Sequence, residues 1–213
     1  MSEWTSERIL EFSRSFMEPR IVLTAVELDF FTLLADSPKS IEEICAARKT
    51  AARGTSILLD ALAAIGLLRK EDGRYVCPKE VSALLSADSP ASVLPMMRHG
   101  ATLWPRWSQL TEIVRKGAVE RPAGIFEDES ELQAFIGAMH VVGKPAASAI
   151  AEQAHAEGSR KLLDVGGATG TYAEAFLRKY PGMRATVFDQ PAVIRFAEAR
   201  LKDTGLMDRI SLV

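Results

Sequence analysis

Two acidic residues and a cluster of glycines are the groups in this chain best placed to do chemistry. Asp164 stands two positions ahead of the turn residues Gly166, Gly167 and Gly170 in the run KLLDVGGATGTYAEAFL, and Asp189 ends the run ATVFD, with Gln190 after it. An apolar strand that enters a glycine turn and then a helix directs backbone N–H groups at one point, where a small charged ligand can sit. A dinucleotide fingerprint counted from Gly166 would place glycine at positions 168 and 171, which are Ala168 and Thr171, so the pattern fails twice. No lysine follows Gly170, so the phosphate-cradling loop of nucleoside triphosphatases is absent too. A carboxylate at the strand end would repel a pyrophosphate and attract a ligand with positive groups. S-adenosylmethionine carries a sulfonium and an ammonium and no phosphate, and it suits Asp164. Asp189, 25 positions after Asp164, can accept both hydroxyls of a ribose. Capping the helix that Pro191 opens is a competing role for Asp189, compatible with the first.

These residues need a scaffold of alternating elements. Leu162, Leu163 and Val165 read as a short buried strand, and Thr171 to Tyr180 as an amphipathic helix stopped by Pro181-Gly182. Ala185 to Asp189 reads as a second strand, Pro191 to about Thr204 as a second helix, and Arg209 to Val213 as the opening of a third strand. Strand, helix, strand, helix, strand predicts a parallel sheet with right-handed crossovers.

The preceding part reads as helix. Ile9, Phe12, Phe16 and Met17 share a helical face, and Pro19 ends or restarts that helix. The next is expected from about Arg20 to Ala35, dense enough in apolar residues to be buried on more than one side. SIEE at Ser40–Glu43 is a capping box, a helix from about Ala51 to Ile65 has Gly66 as its C-cap candidate, and two strands flank the tight turn Asp72-Gly73. This order is that of a winged helix. Its third helix offers Arg53 as its one cation, against the several that backbone binding needs, so the sequence argues against nucleic acid and for a surface buried in a dimer. Ser89-Pro90 is expected to open a further helix. Another holds Trp104, Trp107, Leu110 and Ile113 and ends near Gly117. One more runs from about Glu129 to Val142, and Pro145 begins the last.

Composition sets outer bounds. The 213 residues are 47% hydrophobic and 25% charged, with net charge −2, an ordinary soluble balance. The apolar run near Leu58 to Leu68 is broken by Asp60 and too short to span a bilayer. No basic-then-apolar leader opens the chain, so a cytoplasmic location is expected. Cys45 and Cys77 lack metal-type spacing and read as two reduced thiols; no metal site is expected. His99, His140 and His155 read as helix-surface or pocket residues rather than as a general base.

LLDVGGATG followed by VFDQPAVI resembles the first two cofactor motifs of the S-adenosylmethionine-dependent small-molecule O-methyltransferases, the family that includes caffeate, hydroxyindole and polyketide O-methyltransferases. FIGAM, Phe135 to Met139, is similar to the F-x-x-A-M helix of that family, and the winged-helix pattern resembles its dimerisation domain. The resemblance covers essentially the whole chain. It implies a mainly α winged-helix dimerisation domain over 1–100, a helical connector lining the acceptor pocket over 101–158, and the first part of a doubly wound, Rossmann-like class I methyltransferase domain over 159–213. It implies S-adenosylmethionine held by Asp164, Gly166, Gly167, Gly170, Asp189 and Gln190, with Asp164 near the ammonium and Asp189 on the ribose. It further implies an acceptor pocket drawing on Met97, Trp104, Phe135 and Met139, a small hydroxyl substrate, aromatic or polyketide-like, and a homodimer through the N-terminal helices, with no nucleic acid or membrane partner. Ala168 replaces the usual third glycine and narrows the space beside the cofactor. The family's sheet has seven strands, so its catalytic base is expected beyond Val213, and this chain alone is expected to be inactive. A catalytically silent dimerisation partner and a winged-helix regulator remain alternatives.

Overall fold

Thr5 accepts a hydrogen bond from the Arg8 N–H and so starts α1 (Ser6–Arg14), none of whose residues is buried. The structure, a computed structural model, describes residues 3–117 and 124–213. It divides into two units, Met1–Ala101 and Thr102–Val213.

In the first unit Pro19 lies in the first turn of α2 (Met17–Glu27), where a missing N–H breaks no helical bond. The helix expected to continue to Ala35 stops early. Asp29 adopts a left-handed conformation, φ 52°, and a short α3 (Phe30–Leu33) follows. The break lets Phe30 and Phe31 both be buried. Arg48 fixes it by donating to the Asp29 carbonyl at 3.0 Å and to its carboxylate at 2.8 Å, and tertiary contacts thereby override helix propensity. α4 (Ile41–Arg48) carries the capping box of Ser40 and Glu43. α5 (Ala52–Ala64) follows, and Gly66 takes φ +83° at its end. β1 (Arg69–Glu71) and β2 (Arg74–Val76) pair antiparallel about Asp72 and Gly73, both at positive φ, as a tight hairpin requires. Tyr75 is fully buried; its hydroxyl donates to Asp60 at 2.7 Å and its backbone pairs with Lys39. Phe30, Phe31, Ile44, Leu59, Leu62 and Tyr75 belong to one core around this helix–hairpin unit. Cys45 is half-buried; Cys77 is buried, and burial pushes its thiol up to about 11.

α6 (Lys79–Leu85) follows the hairpin, and Ser89-Pro90 does not open a helix. The Ser89 hydroxyl donates back to the Ala83 carbonyl at 2.5 Å and accepts the Ala91 N–H at 3.3 Å, so it holds a turn after α6 instead of starting a helix. α7 (Leu94–Trp107) starts later, and the division between units falls inside it. α8 (Leu110–Lys116) ends at Gly117, φ +78°.

In the second unit Asp128 caps α9 (Glu129–Gln153), accepting from the N–H groups of Ser130 and Glu131. Pro145 does not begin a separate helix: α9 runs through it. Buried Gly143, Ala147 and Ala151 recur every four residues and form a small-residue face on which α10 packs closely. That packing outweighs the one backbone bond a mid-helix proline removes. By length and composition alone α9 could cross a membrane; in this fold its buried face packs against α10 and α11.

β3 (Lys161–Val165), α10 (Thr171–Lys179), β4 (Arg184–Phe188), α11 (Pro191–Leu201) and β5 (Ile210–Leu212) follow in order. The strands are parallel in the order β3-β4-β5, with Asp164 opposite Val187 and Val165 opposite Phe188. Ala173, Leu177, Val187, Ala197 and Leu201 are core residues on one side of the sheet. On the other, Leu163, Val165 and Phe188 are exposed.

Candidate functional site

The carboxyl ends of β3 and β4, the glycine turn and one face of α9 enclose a cleft of about 460 Å³. Gly166 leaves β3 at φ +70°, and its N–H donates to the Phe188 carbonyl at 2.8 Å, which carries the β3–β4 ladder one step into the turn. Gly167 passes so close to the sheet that a Cβ would lie 2.8 Å from Asp164 Cγ and 2.8 Å from Val187 Cγ1. Ala168 sits at φ 48°, left-handed despite its side chain. Gly170, φ +71°, caps α10.

Asp189 organises the turn. One carboxylate oxygen accepts the Ala168 N–H at 2.9 Å and the other the Gln190 N–H at 2.7 Å. With Gly166 bonded to Phe188 and the Gly170 N–H donating to the Gly167 carbonyl at 2.7 Å, three N–H groups of the turn are spent inside the protein. The sequence-based picture of a free N–H cluster is corrected accordingly. What faces the cleft is acidic: Asp164 and Asp189 both line it. Asp164 Oδ2 is buried with no hydrogen-bond partner among the described residues. Burial raises the Asp164 pKa above the ordinary aspartate value; a backbone bond from Ala173 opposes this and the Asp189 charge reinforces it. A buried carboxylate oxygen without a partner is costly and is relieved by a cationic donor.

The far wall is mostly apolar. Phe135 and Met139 line it, as do Phe126, Ile136, Val142 and Val193. The Tyr172 ring lies across Gly143, where a Cβ would be 3.5 Å from the ring. His140 and Thr171 also line the cleft. They share a hydrogen bond of 2.7 Å between Nδ1 and Oγ1, and Thr171 bonds Thr169 at 3.0 Å. Burial first, then the charges of Arg200 and Lys144, lower the His140 pKa to about 4, with Glu174 opposing. Arg200 donates to the Thr169 carbonyl at 2.9 Å and pairs with Glu174.

Of the residues singled out from sequence, Asp164, Gly166, Gly167, Asp189, Phe135 and Met139 come together around this cleft. Gly170 and Gln190 do not line it; they cap α10 and α11 behind it. Met97 packs on the core of the first unit, and Trp104, half-buried on α7, is not part of the lining. Sequence reasoning missed Thr171, Tyr172 and Val193. A signal existed for the α9 face alone: positions 135, 136, 139, 140 and 143 recur at helical spacing.

Comparison with known proteins places this geometry among relatives. An O-methyltransferase dimerisation domain matches residues 10–88 and an O-methyltransferase domain matches residues 107–213. The chain is 32% identical over 95% of its length to the tetracenomycin polyketide synthesis 8-O-methyl transferase TcmO of Streptomyces glaucescens, of which it covers 62%. It superposes on human N-acetylserotonin methyltransferase in complex with SAM with a TM-score of 0.79 at 27% identity, over 100% of this chain and 66% of that one. The structure of PigF with SAH gives a TM-score of 0.84 at 25% identity, over 99% and 66%. The chain thus spans less than two thirds of the length of these relatives.

Proposed function

The chain belongs to the O-methyltransferase family, and from that premise we propose that its cleft binds S-adenosylmethionine in the service of methyl transfer to a hydroxyl group of a small aromatic or polyketide-like acceptor. The observation that carries this reading is the pair Asp164 and Asp189 at the ends of adjacent strands, with Asp164 Oδ2 buried and unpartnered. The residues fit the cofactor: Asp164 suits its ammonium, Asp189 retains acceptor capacity for ribose hydroxyls, and among the described residues no lysine or arginine lines the cleft to receive a pyrophosphate. The cofactor supplies an electrophilic methyl group on a sulfonium. The chain's own part is to bind, to orient and to keep water away with the apolar wall of Phe135, Met139 and Val193, since methyl transfer rewards positioning above all. TcmO, acting in polyketide synthesis, supports the acceptor class.

A homodimer is part of the proposal. It is supported by the dimerisation-domain match and by α1, which leaves Ile9, Leu10 and Phe12 exposed; an exposed apolar face of this kind marks an interface.

Calorimetric titration with S-adenosylmethionine tests the central claim. Saturable binding that Asp189→Ala weakens at least tenfold is expected; absence of binding by the folded wild type sinks it. A labelled-methyl assay on a panel of phenols and polyketides separates an enzyme from a silent dimerisation partner.

A further inference from the structure

S-adenosylmethionine carries a carboxylate on the same carbon as its ammonium, so a site that holds the ammonium at Asp164 must also provide for a negative group a few ångströms away. The glycine turn is poorly supplied for that. Its Gly166, Ala168 and Gly170 N–H groups are spent on Phe188, Asp189 and Gly167. Asp164 and Asp189 offer only negative charge. Among the cleft's side chains the remaining polar groups are Thr169, Thr171, Tyr172 and His140, and the two threonines bond each other and His140.

We propose that His140 is the residue that receives the cofactor's carboxylate, donating from Nε2 while Nδ1 is held by Thr171. The inference rests on the cofactor reading above. Three observations carry it. First, His140 lines the cleft and its Nδ1 is committed to Thr171 Oγ1 at 2.7 Å. A neutral ring has a single N–H, and when Thr171 donates to Nδ1 that hydrogen sits on Nε2. Second, no described protein group bonds Nε2. Third, although Asp164 and Asp189 face the cleft, the adjoining 270 Å³ hollow that shares His140 and Thr171 with it is lined by Lys144 from α9, Arg200 from α11 and Arg178 from α10, with Glu174, which pairs with both arginines, as its one acid among the described residues. Burial, reinforced by the charges of Arg200 and Lys144, keeps the ring neutral, and the cations of the hollow attract a carboxylate toward it. The sheet-end acids and the α9 histidine would thus divide the amino-acid end of the ligand between them, ammonium to one side and carboxylate to the other.

The test compares S-adenosylmethionine with its decarboxylated analogue, which keeps the sulfonium and the ammonium and lacks only the carboxylate. Calorimetry is run on wild type, His140→Gln and His140→Asn. Gln places an amide donor near the Nε2 position, whereas Asn offers polar atoms only near Nδ1. Expected is that wild type binds S-adenosylmethionine roughly tenfold more tightly than the analogue, the scale of one hydrogen bond to a charged group. His140→Asn should lose that preference through weaker S-adenosylmethionine binding, leaving analogue affinity within about twofold, and His140→Gln should retain part of it. Equal loss for both ligands in His140→Asn, or a preference that survives there, overturns the proposal. If wild type binds neither ligand, the cofactor reading itself fails, and the inference fails with it.

Discussion

Asp164, one residue before the end of β3, and Asp189, one residue past the end of β4, lie at the carboxyl edge of adjacent parallel strands, and the charge of Asp189 adds to burial in raising the Asp164 pKa. Two acids held together in this way weaken the ligand-free fold and prepare it for a cation. The arrangement sets function against stability at one side chain.

Asp164→Asn is therefore expected to make the ligand-free protein more stable at pH 7 and to weaken cofactor binding at least tenfold. A carboxyl whose folded pKa is raised contributes its stability below its ordinary value, 3.8, and loses it as the pH rises through the folded value. The variant's advantage in melting temperature should accordingly shrink as the pH falls toward 3.8. Thermal melts of both proteins from pH 3 to 8 check this; a wild type more stable than the variant at pH 7 contradicts it.

Gly167→Ala should destabilise. Replacing glycine by alanine usually gains about 0.4–1 kcal/mol through the unfolded chain. Here the new methyl would lie 2.8 Å from both Asp164 Cγ and Val187 Cγ1, and overpacking of this kind costs about 1–3 kcal/mol. A net loss of about 1–2 kcal/mol in urea unfolding follows from the difference. A variant as stable as wild type would show that the strand ends can yield.

Much of this site was legible because it is local in sequence. The turn from Gly166 to Gly170, the acid before it and the acid 25 positions later form one strand–turn–helix–strand unit, and the types of those residues carry its geometry. What escaped depends on contacts distant in sequence. Asp29 breaks a helix because Arg48, 19 positions on, holds its carbonyl. Pro145 sits inside α9 because that helix packs on α10. His140 joins the site through Thr171, 31 positions later. Helical spacing groups His140 with Phe135 and Met139 on α9 but does not encode its bond to Thr171, and no periodicity encodes the other two meetings. Gly170 and Gln190 were close in sequence to the residues that line the cleft, yet the backbone directs them to helix caps instead.

Ala168→Gly tests the departure from glycine in the turn. A left-handed alanine costs roughly 1–2 kcal/mol. Its methyl packs beside Leu132, Ile136 and Val193, which returns about 0.8 kcal/mol, and glycine would add about 0.5–1 kcal/mol of chain entropy to lose. These effects nearly cancel, so stability is expected to stay within about 1 kcal/mol of wild type, while the space beside the cofactor widens. A loss above about 2 kcal/mol in urea unfolding would mean that the alanine methyl stabilises the turn far more than its size accounts for.

His140 should remain neutral far below the usual histidine range. Its pKa is lowered to about 4 by burial, Arg200 and Lys144, with Glu174 opposing. In the unfolded chain the ring takes up its proton near 6.5. For a group whose folded pKa is depressed, the stability it contributes is full above the unfolded value and falls as the pH drops from about 6.5 to about 4, levelling off below that. Long-range proton–nitrogen spectra across this range should show the His140 imidazole still neutral at pH 5, with Nδ1 carrying no hydrogen. In His140→Gln the corresponding part of the stability–pH profile should flatten, because the group that titrates is gone. A ring that protonates near 6.5 in the folded protein would contradict both the burial of His140 and the positive field that Arg200 and Lys144 impose on it.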